Sequence, residues 1–252
     1  MNLIILNPDE VSQDSLCHLE DGRAEHIVMI LKAKAGDRLE IGIINGPQGT
    51  AVVESVHEGK VVLKLEKMKT IIPIRPEVRL ICALPRPQTL KKILFTAAMM
   101  RVERCDFIRA RRVERSYYQS PLLQPENMRR FLIEGLSQGK HTRLPEIHLH
   151  DRFRNFIEDV FPTLLPGKTV ESCLCLLPHP DSSETISYHY RPVGQVLLAI
   201  GPEGGWVDFE LDKLKSAGLV PVTLGNSILR VEHAVTAALA QIEMLRLENP
   251  DT

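Results

Sequence analysis

The sequence is short of cysteine, of long apolar runs and of net charge, and each shortage excludes a class of protein. Its five cysteines are odd in number and scattered, without C-x-x-C spacing, which argues against a disulfide framework and against a zinc site. We expect buried thiols instead. The 31 Lys and Arg residues balance 32 Asp and Glu residues, so no whole-molecule field attracts nucleic acid or a membrane surface.

The sequence also lacks a membrane or targeting signal. Its longest apolar runs, such as residues 196–200, have the length of a strand and not of a membrane span. The first residues, MNLIIL, contain no basic region, and no cleavage site follows them. We therefore expect a soluble, cytoplasmic protein with no membrane partner.

What is present is typical of a globular protein, with 44% hydrophobic and 25% charged residues. In the first part, residues 37–44, 50–56 and 60–65 show partial alternation and are separated by turn residues, which predicts a small β-barrel. Residues 24–34 have helical spacing. Residues 71–76 contain two prolines and form the expected linker, so the predicted domains are 1–72 and 73–252.

The second part alternates between strands and helices. We predict strands at 79–84, 106–111, 146–150, 172–177, 195–200 and 220–224, and helices at 88–101, 126–137, 154–164, 208–217 and 230–247. This order is typical of an α/β fold with a largely parallel sheet and helices on both faces. Ligands of such sheets bind beyond the carboxyl ends of the strands.

The segment Ile200–Trp206, with the sequence IGPEGGW, follows an apolar strand and precedes a helix for which Asp208 is the expected N-cap. Three glycines and a proline cannot extend the strand, and they allow the bare backbone to approach a ligand. A tight turn without a ligand is the alternative. The segment is neither a P-loop nor a G-x-G-x-x-G motif, which disfavours nucleoside triphosphates and nicotinamide cofactors.

A second loop, residues 224–230, also follows a strand and opens the last helix. Arg230 and Glu232 lie at the start of this helix, where a basic residue is unfavourable to the helix dipole and suggests another purpose. The alternatives are that Glu232 complements the dipole and that Arg230 forms an ion pair with it. One apolar stripe along the helix indicates either core or subunit interface: Val231, Ala234, Val235, Ala238, Ile242 and Leu245.

The pair GPEGG and LG-x-x-ILR-x-E, in this order, resembles the ribosomal RNA small subunit methyltransferase E family, which methylates N3 of a uridine in 16S rRNA. The resemblance extends to residues 26–37, which look like the PUA-like RNA-binding barrel of that family, and to Gln138 followed by residues 144–147. It implies a SPOUT-type parallel sheet with a C-terminal trefoil knot, S-adenosylmethionine held in the knot, and a homodimeric active site.

The same resemblance implies the cofactor-binding residues, which lie in three loops at strand ends: Leu177, Ile200, Gly201, Pro202, Glu203, Gly204, Gly205, Leu224, Gly225, Ile228, Leu229 and Arg230. Uridine N3 carries a proton that must be removed, and negative charge on O2 and O4 must be stabilised. Arg230 is the candidate for stabilising this charge. Glu232 is the candidate for accepting the proton or for orienting Arg230. The sulfonium methyl group is already activated, so no metal is expected.

Residues 101–143 contain ten basic residues against five acidic ones, which predicts a local phosphate-binding surface. Candidate contacts to 16S rRNA, expected within the small ribosomal subunit, combine charge with a stacking plane: Arg109, Arg111, Arg112, Arg115 and Tyr117. A solvated charged face is the alternative for each of them.

The sequence departs from the family pattern at a few positions of the expected RNA site. Ser227 stands where a basic residue is usual, and Val231 and His233 replace two threonines around Glu232. Two further hypotheses therefore stay open. One is a SPOUT methyltransferase that modifies a ribose 2′-OH or another base, and the other is an RNA-binding relative without catalytic activity.

Overall fold

The N-terminal part of the chain forms a five-stranded mixed sheet in a computed structural model that describes residues 2–70, 72, 74, 77–165, 167 and 172–249. The strands are β1 (Ile4–Leu6), β2 (Leu16–Leu19), β3 (Arg38–Ile43), β4 (Gln48–His57) and β5 (Lys60–Lys69), in the spatial order β1-β3-β4-β5-β2. Only the β1–β3 pair is parallel. Because β1 and β2 stand at the two ends of this order, closure into a PUA-like barrel stays a prediction.

This sheet encloses its own apolar core, because inward-facing residues alternate along its strands. Leu63 and Ile41 are fully buried there together with Ile27, which lies in the helical segment after β2. That segment consists of α1 (Gly22–Glu25) and one π-helical turn (His26–Ile30). It is shorter than the predicted helix over 24–34, because Lys32 adopts a positive φ of 52°, which ends a helix.

The second part of the chain forms a six-stranded sheet in which every pairing is parallel. Its strands are β6 (Glu77–Ala83), β7 (Val102–Ile108), β8 (Glu146–His150), β9 (Leu174–Pro178), β10 (Gln195–Ile200) and β11 (Val220–Val222), in the spatial order β11-β9-β10-β6-β7-β8. The α/β class and the parallel sheet predicted from the alternation are confirmed. β10 is buried along its whole length between β9 and β6.

Helices lie between these strands, and the last helix follows β11: α2 (Pro87–Met99), α3 (Pro125–Gly139), α4 (Phe153–Asn155), α5 (Phe161–Leu164), α6 (Ile186–His189), α7 (Asp208–Ser216) and α8 (Val231–Glu248). Helix α2 packs against both α3 and α8. The apolar stripe of α8 lies in the core of this chain, where Val235 and Ala238 are fully buried. Of the two alternatives for this stripe, the core is therefore correct.

Several predicted boundaries are wrong. Strand β7 occupies 102–108 and not 106–111, since its charged positions are satisfied inside the fold: Asp106 is fully buried and binds Arg104 at 2.8 Å and His150 at 2.7 Å. The predicted helix 154–164 is divided by a π-helical turn (Phe156–Val160) before α5. The N-cap of α7 is Val207, and Asp208 is the first helical residue.

The N-terminal sheet is attached to α3 and to the loop after it. The Leu3 N–H donates to the Ser137 carbonyl at 3.0 Å, and the Ser137 hydroxyl donates back to the Leu3 carbonyl at 2.7 Å. The Thr142 hydroxyl reaches the Gly46 carbonyl at 2.8 Å. The predicted linker lies outside the described residues except for positions 72 and 74, so the domain boundary stays a prediction.

The five cysteines are buried free thiols, as predicted. Within the described part of the chain, no helix has the length and apolar character needed to cross a membrane. The described residues likewise contain no group of three or more His, Cys, Asp and Glu side chains placed to hold a metal ion.

Candidate functional site

The two loops singled out from the sequence line one cleft at the carboxyl edge of the parallel sheet. This glycine cleft has a volume of about 980 Å³. It contains all but one of the predicted cofactor-binding residues, together with Glu232: Ile200, Gly201, Pro202, Glu203, Gly204, Gly205, Leu224, Gly225, Ile228, Leu229 and Arg230. The exception is Leu177, which is fully buried in β9 and is not part of the lining, whereas its neighbour Pro178 is.

The first loop, residues 201–205, is a tight turn. The Gly205 N–H donates to the Pro202 carbonyl at 2.8 Å, and Gly205 has a φ of 74°, which only glycine adopts without strain. A side chain on Gly201 would lie 3.0 Å from Nε1 of Trp206. The small size of Gly201 therefore serves the packing of Trp206 against the loop.

Two arginines that also line the cleft hydrogen-bond to this loop. The backbone N–H of Arg86 donates to Oε1 of Glu203 at 3.2 Å. The Arg112 guanidinium donates to the Gly204 carbonyl, and a side chain on Gly204 would lie 3.2 Å from Cδ of Arg112. Glycine at position 204 thus allows the close approach of Arg112 to the backbone.

Trp206 leaves one polar atom of the cleft wall without a partner. Its Nε1 is the single buried side-chain nitrogen or oxygen in the described part of the chain that has no hydrogen bond. An unpaired buried donor costs free energy, which a ligand with an acceptor atom would recover. In this structure Nε1 is shielded from solvent and lies next to Gly201 in the wall of the glycine cleft.

The second loop is held by hydrogen bonds at its first residues, and its tip is exposed to solvent. The Gly225 N–H and the Thr223 hydroxyl hydrogen-bond at 3.1 Å, and the Gln241 side chain donates to the Leu224 carbonyl at 3.2 Å. Gly225 has a φ of 133°, and a side chain there would meet open space. At the tip, Ile228 is 86% exposed although it is apolar.

Arg230 and Glu232 both line the glycine cleft at the start of α8, but they are not joined to each other. Arg230 is the N-cap of α8 and is exposed. In the described part of the chain its side chain has no hydrogen bond or ion pair. Glu232 instead accepts from Nζ of Lys92 on α2 at 3.1 Å. Glu232 therefore forms no ion pair with Arg230 in this structure, and a role of Glu232 in orienting Arg230 stays a prediction.

The surroundings of Glu232 keep its carboxylate ionised. Burial tends to raise its pKa, but the hydrogen bond from its own backbone N–H, the Lys92 ammonium and His233 outweigh burial and hold the pKa below its ordinary value. A carboxylate with a lowered pKa is a weaker proton acceptor. This favours Glu232 as a fixed anion that positions Lys92.

A second cleft, of about 640 Å³, lies beside the first at the carboxyl ends of β7 and β8. We call it the arginine cleft, because Arg109, Arg111, Arg115 and Arg154 line it together with Phe209. The segment 109–115 separates the two clefts: Arg111 and Val113 face this one, and Arg112 faces the glycine cleft. Four of the five predicted RNA contacts therefore lie at one of the two clefts.

The rest of the predicted basic surface is largely neutralised. Arg104 binds Asp106, Arg130 binds Glu134, and Lys140 and Arg143 bind acidic side chains. The fifth predicted contact, Tyr117, accepts from Nε of Arg86 at 3.2 Å and donates to Glu114 at 3.1 Å. The local charge excess is thus concentrated on the segment 109–115.

Comparison with known proteins places this chain in a family. The family model of the RNA methyltransferase domain matches residues 73–243. The ribosomal RNA small subunit methyltransferase E of Treponema pallidum is 31% identical over 244 residues, which cover 96% of this chain and 90% of the relative. The chain belongs to this methyltransferase family. The Synechocystis member is 26% identical over 96% of this chain and 77% of its own length.

A solved structure of this methyltransferase family shares the fold. The enzyme from Neisseria gonorrhoeae, crystallised with bound S-adenosyl methionine, aligns with a TM-score of 0.77 over 97% of this chain and 98% of its own, at 19% identity. At that identity the likeness shows the fold alone. The α/β arrangement of a mixed sheet followed by a parallel sheet is thus that of the methyltransferase family.

Sequence reasoning about this methyltransferase missed the contribution of β6 and α2 to the site. Arg86 and Lys92 follow the carboxyl end of β6, which is the neighbour of β10 in the sheet. The signal that could have revealed them is that both residues follow the carboxyl end of a predicted strand, because the carboxyl ends of parallel strands lie at one edge of the sheet. The strand order that makes β6 and β10 neighbours is not visible in the sequence.

Proposed function

We propose that this protein transfers a methyl group from S-adenosylmethionine to N3 of a uridine in 16S rRNA. Membership of the methyltransferase family supports the reaction class. The observation that carries the proposal is that two glycine-containing loops, which follow two different strands of the sheet, meet in one cleft whose wall contains Trp206 with its buried, unpaired Nε1. The proposal includes a SPOUT-type fold with a C-terminal trefoil knot and a PUA-like N-terminal barrel.

The glycine cleft has the properties that this cofactor requires. Its volume of about 980 Å³ lies in the range of ligand pockets, and Ile200, Leu224 and Leu229 supply apolar wall. The exposed backbone of the glycine loop would supply polar contacts of the kind that an adenosine needs. The cofactor would bring a methyl group already activated on a sulfonium, so the chain has no need of a metal ion for this step.

The side chains at the start of α8 would act on the uridine. Arg230 is an exposed cation at the cleft, and it would stabilise the negative charge that develops on O2 and O4 as N3 loses its proton. The Lys92–Glu232 pair lies beside it. Lys92 adds a second cation, which Glu232 would hold in place, and the N3 proton would pass to Glu232, a poor base by its lowered pKa, and from there to water.

The RNA side of the proposal rests on the segment between the two clefts. Arg109, Arg111, Arg112 and Arg115 would bind phosphates, and Tyr117 would stack on a base. The substrate would be 16S rRNA within the small ribosomal subunit, in the cytoplasm. A homodimer is part of the proposal.

The test is mass spectrometry of ribosomal RNA nucleosides from a strain that lacks the gene. We expect loss of N3-methyluridine from 16S rRNA, restored by the wild-type gene but not by Arg230→Ala. Loss of a 2′-O-methyl or another base modification would instead assign the protein to a different RNA position. An unchanged nucleoside profile would indicate a non-catalytic RNA-binding relative.

A further inference from the structure

The arginine cleft contains an exposed aromatic ring among its cations. Phe209, in the first turn of α7, is 48% exposed, and the Arg154 guanidinium lies 5.6 Å from the centre of its ring. Phe153 contacts the same ring edge-on at 6.4 Å and fixes its position from below. A half-exposed, supported ring next to a guanidinium is the arrangement on which unpaired bases stack.

The residues that line this cleft carry a net positive charge. Four arginines line it, against the acidic residues Asp151 and Glu210. Glu210 is buried and accepts hydrogen bonds from the backbone N–H groups of Arg111 and Val207, so both of its carboxylate oxygens are already occupied within the fold. The ion pair of Arg154 with Glu158 is long, at 3.8 Å, and exposed, so it holds Arg154 weakly.

The position of the cleft relates it to the proposed active site. The glycine cleft lies at the ends of β6, β9, β10 and β11, and the arginine cleft lies at the ends of β7 and β8, on the same edge of the sheet. The two share the wall formed by the segment 109–115 and by residues 204–210. A strand of RNA with its target base in the first cleft would therefore reach the second within a short distance.

We propose that the arginine cleft binds a nucleotide of the RNA strand that flanks the target uridine, with its base stacked on Phe209 and its phosphates held by the surrounding arginines. This inference rests on the proposed RNA substrate and adds a base-binding subsite to it. Phe209 and Arg154, which no sequence motif singles out, become its specific contacts.

The test uses the full-length protein and small ribosomal subunits reconstituted with 16S rRNA that was transcribed in vitro with 4-thiouridine. Phe209→Ala should weaken binding about tenfold through lost stacking, without changing the slope of log affinity against log salt concentration. Phe209→Tyr keeps the ring and should bind as the wild type does, whereas Phe209→Leu, which keeps apolar volume only, should not. Met244→Ala is the matched control, because Met244 is an exposed apolar residue, at 51%, outside both clefts.

Substitution of Arg154 provides a second, independent test of the proposal. Arg154→Ala should lower the salt slope by about 0.7, the value of one phosphate contact on a single strand. Arg130 is the matched control: both side chains are well exposed, at 66% and 78%, and both form an i,i+4 ion pair with a glutamate, but Arg130 lies outside the cleft. Arg130→Ala should leave the slope unchanged.

Photocrosslinking from 4-thiouridine should map to the peptide that contains Phe209. Absence of binding by the wild type, a crosslink elsewhere only, or equal affinities for Phe209→Ala and Met244→Ala would overturn the subsite. The subsite would also be overturned if Phe209→Ala differed from the wild type in oligomeric mass but not in RNA affinity. In that case the surface around Phe209 would be a contact between protein chains. Dependence of binding on Phe209 without methyl transfer would support the subsite and overturn the proposed reaction.

Discussion

Replacement of Glu210 by alanine should loosen both clefts, because this one carboxylate joins their walls. Oε1 of Glu210 accepts the Arg111 N–H at 2.6 Å, and Oε2 accepts the Val207 N–H at 3.2 Å. Each lost acceptor at a partly buried site costs about 1 kcal/mol, so we expect a loss of about 2 kcal/mol. In a chain of this length that corresponds to a fall of about 4–8 °C in Tm.

The measurement is thermal unfolding followed by far-ultraviolet circular dichroism. Glu210→Gln keeps an oxygen for Arg111 and loses the second acceptor, so its Tm should fall about half as far as that of Glu210→Ala. Asp212→Ala, an exposed change on the same helix, should shift the free energy of unfolding by no more than about 0.5 kcal/mol. If Glu210→Ala unfolds at the temperature of Asp212→Ala, the carboxylate does not join the two walls.

Three further predictions concern the site and its surroundings. Arg230→Ala should lower kcat for methyl transfer to RNA far more than it weakens the Kd for S-adenosylmethionine in calorimetry; an unaltered kcat would remove Arg230 from the chemistry. Gly204→Val should displace Arg112 from the loop carbonyl and weaken cofactor binding more than Gly204→Ala does, whereas equal Kd values for both would contradict the contact. Burial and then Arg101 lower the pKa of His141 to about 4, so protons bind preferentially to the unfolded chain and stability should fall as pH decreases from about 6.5 to about 4. His141→Leu should flatten that pH dependence of Tm, and an unchanged profile would refute the assignment.

The parts of the fold that the sequence predicts best are those in which local pattern and burial agree. Strand β10 is a continuous apolar run that is buried on both sides, and its predicted bounds are those of the structure. The charged strand β7 was placed four residues too late, since its Asp106 is buried with partners from β7 itself and from β8. No local pattern reveals that a buried carboxylate will find such partners.

In the candidate site, too, local sequence patterns reveal some features and not others. Two loops could be recognised from the sequence because glycine and proline interrupt regular structure in a characteristic way, and the structure brings both to one cleft. The partner of Glu232 could not be recognised, since Lys92 lies on a helix 140 positions earlier and reaches the cleft only through the strand order. The family resemblance implies Leu177 as a cofactor-binding residue, yet its side chain is fully buried in the core.

The strand order of the parallel sheet has a consequence for biosynthesis. β6 lies between β7 and β10, but β7, β8 and β9 are all synthesised before β10. One apolar edge of β6 therefore stays unpaired while most of the chain leaves the ribosome, and pairing of distant parallel strands is intrinsically slow. The nascent chain has to keep this edge from associating with other chains until β10 arrives, and the catalytic edge of the sheet is assembled by the same late event.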